Sequence, residues 1–134
     1  MRIKYFRLLL IIGVICFVQC RKSDSKTDSF NIALYDCSRQ SIGTYICFDS
    51  LITDSRCPID AECIWQGTAQ IKVSFHERGN THRFIMSLQN YPAMGYPNDT
   101  TINGYRVQFV GLSPYPLSNS NPVSKKEATL SISR

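Results

Sequence analysis

The sequence predicts an all-β fold: a single antiparallel β-sandwich or partly open barrel of about six strands, stapled by disulfides. From Phe30 onward apolar residues recur with a period of two, and no stretch keeps the 3.6-residue period of an amphipathic helix. Proline, glycine, serine and asparagine concentrate between the alternating stretches, where turns are expected. Cysteine is frequent as well, with 6 among 134 residues. These observations favour a small β-domain.

Strands are predicted wherever apolar and polar residues alternate over seven or eight positions. The stretches are FNIALYD (30–36), GTYICFD (43–49), TAQIKVSF (68–75), HRFIMSL (82–88), YRVQFVGL (105–112) and EATLSIS (127–133). In the last of them Ala128, Leu130 and Ile132 face one way, so that one side of the strand is apolar.

One hairpin can be given a register. If Gly79-Asn80 forms a tight turn, the strands on either side pair antiparallel. The apolar pairs are then Ile71 with Leu88, Val73 with Met86, and Phe75 with Phe84. A slip of one residue would move these side chains to opposite faces, so this register is strongly favoured.

The amino terminus has the features of an export signal. Arg2, Lys4 and Arg7 precede the apolar run 8–18, which is shorter than the roughly 20 residues of a membrane-spanning helix. The run ends at Cys20 and a polar stretch follows, which resembles a bacterial lipoprotein signal with Cys20 as the lipidated residue. Phe17 and Gln19 depart from that pattern, and an ordinary secretory signal or a signal-anchor are the alternatives.

The lipoprotein interpretation divides the chain into three parts: a signal peptide (1–19), a disordered tether (20–29) and a β-sandwich domain (30–134). It places the protein in the bacterial cell envelope, lipid-anchored, with the outer membrane as the expected membrane. The signal carries three of the 15 basic residues and none of the 10 acidic ones. The mature chain is therefore only weakly basic, and nucleic acid is not an expected partner.

Four cysteines remain beyond Cys20, and in an exported protein an even set predicts disulfides. Short loops favour Cys37–Cys47 and Cys57–Cys63, although four thiols permit other pairings. The C-x₅-C spacing of the second pair fits neither a thioredoxin-type redox site nor the ligand pairs of a zinc site.

The histidines do not supply the missing ligands. In the predicted hairpin His82 shares the apolar face with Glu77, whereas His76 lies on the opposite face. No metal and no cofactor are therefore expected.

The stretch DSRCPIDAECIWQG (54–67) is interpreted as a structural staple. Asp54 and Asp60 suit turn positions, and Trp65 is expected to pack against the disulfide, with a partly exposed, ligand-stacking role as the alternative. Gly67 is expected where the backbone needs a positive φ or a close approach.

A longer segment, FDSLITDSRCPIDAECIWQGTAQIKV (48–73), resembles a family of small uncharacterised bacterial exported proteins and lipoproteins with a D-S-R-C-P…C-x-W-x-G motif. GYRVQFVGLSPYP (104–116) is similar to a later strand of that family. Gln66 stands where alanine is common. The family has no established activity, so the resemblance implies no catalytic role. It implies that Cys57, Cys63, Trp65 and Gly67 form a shared structural module.

Catalytic motifs such as G-x-S-x-G and H-E-x-x-H are not found in the sequence. Asp49 and Asp54 could act as paired carboxylates in glycoside hydrolysis, but both suit turns. Tyrosine and proline concentrate in the connections 91–97 and 113–116, where stiff, exposed rings favour binding. The candidate partner contacts are Tyr91, Tyr96 and Tyr115, and packing of these rings over the ends of the sandwich is the alternative.

The sequence thus predicts a non-catalytic binding or interaction module of the cell envelope, acting on an envelope protein or ligand. Two alternatives remain: a proteinase inhibitor that presents the loop 54–67, and a small envelope enzyme with an unrecognised site.

Lipidation of Cys20 is testable by intact-mass measurement. The chain in the membrane fraction should begin at Cys20 and carry the additional mass of a diacylglycerol and an N-acyl chain, because stable anchoring needs more than one acyl chain. Cys20→Ser should release the chain or trap its precursor. An unmodified soluble chain with another first residue would contradict the prediction.

Overall fold

The computed structural model describes residues 27–41, 43–90, 96–119 and 125–134. Within these ranges the chain forms strands and connecting loops, with no helix, so the all-β prediction is confirmed. The strands in chain order are β1 (Asp28–Ala33), β2 (Cys37–Ser41), β3 (Thr44–Asp54), β4 (Ala69–Glu77), β5 (Asn80–Ser87), β6 (Asp99–Ile102), β7 (Tyr105–Ser113) and β8 (Glu127–Ser133).

The strands form two antiparallel sheets of four strands, which pack as a sandwich and do not close into a barrel. One sheet has the order β1-β8-β7-β6, and the other has the order β2-β3-β4-β5. All sheet neighbours are antiparallel. The sheets carry their apolar side chains inward, as the period-two pattern requires.

The core lies between the two sheets and consists of fully buried aliphatic and aromatic side chains. Burial of this apolar surface is the main force that holds the sheets together. The contributions of the second sheet are Ile46, Phe48, Ala69, Ile71, Val73, Phe75 and Met86, and those of the first are Ile32, Val107, Phe109, Leu112, Ala128, Leu130 and Ile132.

The predicted register of the β4–β5 hairpin is wrong by two residues. The turn is Arg78-Gly79, where φ is 48° and 86°, as a type I′ turn requires at both central positions. Ile71 therefore pairs with Met86, and Phe75 pairs with His82. A shift of two residues leaves each side chain on its predicted face, so the apolar face was identified correctly.

Two strands were not predicted. β2 (CSRQS) contains no large aliphatic or aromatic residue, so its sequence shows no apolar alternation. β6 (DTTI) is too short to show a period, but it is joined to β7 by Asn103-Gly104, with φ of 50° and 81°. Asn-Gly is a strong hairpin signal, and it could have revealed this strand.

The two ends of the sandwich differ. The tether end carries the start of β1 at Asp28, the end of β8 and the turns that contain Gly43, Gly79 and Gly104. Asn103 donates a hydrogen bond to Glu77 there, which brings the two sheets together. The loop end carries the connections 34–36, 55–68, 88–98 and 114–126.

The predicted signal peptide and Cys20 lie outside the described residues. β1 begins at Asp28, so the expected tether is shorter than 20–29 by two residues. No membrane-spanning helix is found in the described part of the chain.

Candidate binding surface at the cysteine loop

A buried arginine forms the base of the cysteine loop, residues 55–68. Arg56 is 5% exposed and donates from Nε to Asp54 Oδ1 at 2.7 Å and from Nη2 to Asp54 Oδ2 at 2.8 Å. Its Nη1 donates to the carbonyl of Leu112 at 2.6 Å, and Nη2 also reaches the carbonyl of Pro114 at 3.2 Å. The guanidinium therefore ties the end of β3 to the end of β7 in the opposite sheet.

Two further side chains complete this cluster. Lys126 lies just before β8, and its Nζ is 3.1 Å from Asp54 Oδ2 and 3.0 Å from the carbonyl of Pro114. The ring of Tyr115 covers the Arg56 guanidinium, with its centroid 4.3 Å from the central carbon, as in a cation–π contact. Asp54 is therefore an ion-pair partner and not a turn residue as predicted, because it ends β3 between two buried cations.

The ionic environment decides the charge state of Asp54. Burial by itself raises the pKa of this carboxyl, but the hydrogen bonds and positive charges of Arg56 and Lys126 outweigh burial and lower the pKa below its ordinary value. Asp54 is accordingly ionised at neutral pH, and the cluster holds two cations around one carboxylate.

The neck of the loop is closed by backbone contacts. Ser55 N donates to Thr68 O, and Cys57 N donates to Gln66 O, each at 2.8 Å. Gly67 has a φ of 64°, and a Cβ built on it would lie 1.7 Å from the carbonyl oxygen of Ser55. Both predicted reasons for a glycine at this position, positive φ and a close approach, are therefore confirmed.

Disulfides join the predicted partners. Cys57 and Cys63 cross-link the tip of the cysteine loop, and Cys37 and Cys47 link directly paired positions of β2 and β3. The first bridge closes a short ring in a segment that has no strand pairing of its own, so it restricts the conformations open to this segment.

The loop also rests on the connection that follows β7. Ile59 N donates to Pro116 O at 3.1 Å. The carboxylate of Asp60 accepts hydrogen bonds from the backbone N and the hydroxyl of Ser118. The bond from the Ser118 backbone is the main cause of a lowered pKa at Asp60. Asp60 does lie in a turn, but its carboxylate bridges two loops.

This unit carries a group of large apolar side chains at its surface. We call this group the apolar apex. It consists of side chains that face solvent on the cysteine loop and on the connection after β7: Ile59, Ile64, Trp65 and Leu117. Ile64 is fully exposed and Trp65 is 81% exposed. The prediction that Trp65 packs against the disulfide is therefore wrong, because the core between the sheets is already filled by residues of the strands.

Charge around the apolar apex is acidic. Asp60 and Glu62 are exposed on the loop, whereas its one basic residue, Arg56, is buried in the ion cluster. The apex therefore presents aliphatic and aromatic surface next to carboxylates.

The other predicted contact residues are only partly connected with the apex. Tyr115 is half-exposed and is held against Arg56, so it belongs to the base of the loop. Tyr96 is 38% exposed beside Pro97, whose carbonyl accepts a hydrogen bond from Ser87 N. Tyr91 lies outside the described residues.

The side chains considered for catalysis or metal binding lie apart from one another in the structure. Asp49 accepts a hydrogen bond from Ser74 on β4, and it does not share the cluster of Asp54. His76 stacks on Tyr45 with 4.3 Å between ring centroids, on the outer face of the sheet. His82 pairs with Phe75, so it lies on the face of Glu77 as predicted, although the register is shifted by two residues. Across the described ranges no group of three or more potential metal ligands comes together.

Sequence reasoning missed the apolar apex and the ion cluster. Ile64 and Trp65 are adjacent bulky residues outside any alternating stretch, which is a sign that neither is needed by a strand. Arg56 between Asp54 and Cys57 gave no comparable sign, because its carbonyl partners lie 56 and 58 positions away in sequence.

A scan against protein-family models, a search of curated proteins and a search of solved structures each returned no match. The resemblance based on residues 48–73 stays a prediction.

Replacing Gly67 tests the neck of the loop. Gly67→Ala should destabilise the domain by more than the roughly 1–2 kcal/mol of a left-handed L-residue, since the new methyl group also meets the Ser55 carbonyl. Gly79→Ala is the matched control, because Gly79 also has positive φ but nothing lies within 4 Å of its Cβ. Urea unfolding of both variants gives the comparison, and equal losses of stability would contradict the close approach.

Asp54 should make stability depend on pH. Its folded-state pKa is lowered, so its contribution to the free energy of unfolding is complete above the unfolded-state pKa of about 4. That contribution is lost as the pH falls through the lowered folded-state pKa. Asp54→Asn should cost about 3–5 kcal/mol at pH 7, because two buried cations lose their partner.

Thermal unfolding of the wild type and Asp54→Asn from pH 7 to pH 2 should show the two curves converging below about pH 4. Asp99→Asn is the control, since its pair with Arg106 is exposed and is expected to contribute no more than about 1 kcal/mol. A constant difference between wild type and Asp54→Asn over the whole range would exclude the proposed ionic role.

Proposed function

We propose that this chain is a non-catalytic binding domain of the bacterial cell envelope, and that the apolar apex is its contact surface. The observation that carries the proposal is the exposure of Ile64 and Trp65 on a loop that is held by a disulfide, a buried ion cluster and backbone hydrogen bonds. Anchoring through Cys20 is part of the proposal.

The physical argument concerns the cost of ordering. A flexible loop would cover its apolar side chains or lose entropy when it binds, whereas a rigid loop presents them already ordered. Tryptophan is a frequent hot-spot residue because its large ring releases much water from a partner's pocket. The apex therefore has the residue type and the preorganisation that binding requires.

This proposal differs from the expectation that tyrosine-rich connections carry the contacts. Tyr115 supports that expectation only indirectly, because its ring holds Arg56 at the base of the apex. Tyr96 remains a second candidate contact, since it is partly exposed on the connection between β5 and β6.

Proteinase inhibition is a second candidate function, favoured by one specific observation. Ile64 and Trp65, the two most exposed large hydrophobic side chains of the described residues, directly follow the disulfide-bonded Cys63. A protruding segment with restrained ends can enter an active-site cleft without the entropic cost of ordering.

Photo-crosslinking in cells tests the binding proposal. A photoreactive amino acid replaces Glu62 at the edge of the apex, and the adduct with an envelope partner is compared in chains that carry Trp65 or Trp65→Ser. The adduct should be lost in Trp65→Ser, while the melting temperature should change little because the indole is 81% exposed.

Tyr35→Asn is the matched control, because Tyr35 is 80% exposed elsewhere and its positive φ tolerates asparagine. It should keep the adduct. Tyr96→Ser in the same assay tests the tyrosine hypothesis. If Trp65→Ser keeps the adduct, or lowers the melting temperature by many degrees, the apex is not the contact surface. Inhibition of a protease panel by the wild type but not by Trp65→Ser would favour the second candidate.

A further inference from the structure

We propose that the tether end of the sandwich binds the anionic phospholipid headgroups of the membrane that anchors the chain. The domain would then rest on the membrane with its apolar apex pointing away. This inference is independent of what the apex binds, and it rests on anchoring through a segment before residue 27.

The first support is where the chain enters the domain. β1 begins at Asp28, which pairs with Ile132 near the end of β8. The eight peptide steps from Cys20 to Asp28 span at most about 28 Å even when fully extended. The tether end is therefore the part of the domain closest to the point of attachment.

The second support is a group of exposed arginines at this end. They come from both sheets: Arg39 on β2, Arg78 in the β4–β5 turn, Arg106 at the start of β7 and Arg134 after β8. A planar guanidinium with several donors matches the oxygens of a phosphate group.

Carboxylates at the tether end balance the arginines only in part. Glu77 accepts a hydrogen bond from Asn103, and Asp28 lies at the start of β1. Asp99 pairs with Arg106, but its partner's side chain remains 61% exposed.

The loop end has the opposite character. Its exposed charges among the described residues are Asp36, Asp60, Glu62, Lys125 and Glu127, while Arg56 and Lys126 are buried around Asp54. An anionic surface would therefore repel this end and attract the tether end, and the domain would adopt one orientation.

A groove at the tether end offers space for a headgroup. It has a volume of about 220 Å³ and is lined from both sheets: by Gln40 and Ser41 on β2, and by Asp28, Tyr105, Ile132, Ser133 and Arg134 on the other side. One carboxylate and one guanidinium therefore share its lining. The Arg134 guanidinium lies 4.9 Å from the Tyr105 ring centroid and donates to its hydroxyl at 3.3 Å. Tyr105 thus holds one cation at the mouth of the groove.

A weak contact is sufficient here. A short tether keeps the domain at an effective concentration on the order of millimolar near the membrane surface, so even a millimolar affinity gives substantial occupancy. The lipid contact would orient the domain, whereas the tether would retain it.

Energy transfer from Trp65 measures the orientation. Trp65 is the one tryptophan of the chain and lies at the loop end, about 30 Å along the nine-residue β7 from the tether end. The full chain, purified from the membrane fraction, is reconstituted into vesicles that contain a dansyl-labelled headgroup. The vesicles are either phosphatidylethanolamine with phosphatidylglycerol, or phosphatidylcholine alone.

Transfer should be lower on the anionic vesicles, because the arginines hold the domain upright and keep Trp65 far from the headgroups. On phosphatidylcholine the domain turns freely about its tether, and Trp65 approaches the surface more often. Salt at 0.5 M should abolish the difference, since the Debye length falls to about 4 Å. Inorganic phosphate that replaces part of the low-salt buffer, with the ionic strength kept low, should not abolish it, which distinguishes the membrane surface from a free-phosphate site.

The double variant Arg39→Glu, Arg78→Glu should lose the difference between the two vesicles. Lys125→Glu is the matched control, because this exposed cation lies at the loop end, and it should keep the difference. Circular dichroism shows whether each variant is folded, and the single variant Arg134→Gln is used if the double variant is not.

Equal transfer on both vesicles would overturn the proposal, and so would a difference that survives in the arginine variants. Higher transfer on anionic vesicles, with a blue-shifted Trp65 emission, would mean that the apex contacts the membrane instead. A chain that is absent from the membrane fraction would also overturn it. The vesicle outcomes leave the Trp65→Ser crosslinking result unchanged, so the two proposals can be told apart, whereas a chain absent from the membrane fraction would remove the anchoring that both proposals include.

Discussion

The structure of the loop end depends on the pairing of Arg56 with Asp54. Apolar contacts between the sheets set the spacing of the sandwich, but they are non-directional and do not determine how the loops leave it. A buried guanidinium is different, because its donors must all find acceptors at defined positions. Arg56 finds them on Asp54 and on the carbonyls of Leu112 and Pro114. The loop bases on both sheets are therefore restricted to conformations that bring these acceptors together.

The ion cluster also explains how Trp65 is exposed on an ordered loop. The sheets fill the core without any side chain from residues 57–66, so this segment is not needed for hydrophobic burial. Its order comes from Arg56 below it, from the close approach at Gly67 and from the Cys57–Cys63 bridge. Apolar side chains on such a segment face solvent because the backbone that carries them has no freedom to fold them inward.

The sequence predicted those features that depend on local pattern. Period-two alternation identified the strands that bury Ile71 and Leu130, and short spacing identified both disulfides. The polar edge strand β2 has no alternation, and the turn at Arg78-Gly79 was displaced because arginine is an unusual residue at positive φ. The ion cluster could not be predicted in this way, since Arg56 meets carbonyls more than 50 positions away in sequence. The exposure of Trp65 had a local sign, because Ile64 and Trp65 stand outside any alternating stretch.

Antiparallel topology places the tight two-residue turns of this sandwich at one end. β1, β3, β5 and β7 all run toward the other end, the loop end, where the connection after β1 is short but those that follow β3 and β7, 55–68 and 114–126, are long. The turns after β2, β4 and β6 are tight and lie at the tether end, together with the start of β1. Tight turns leave a flat surface at the tether end, to which both sheets contribute arginines. Long connections can instead extend beyond the sheets and form the apex. Binding at the apex and contact with a membrane at the tether end are therefore compatible, because the same strand directions assign them to opposite ends of the domain.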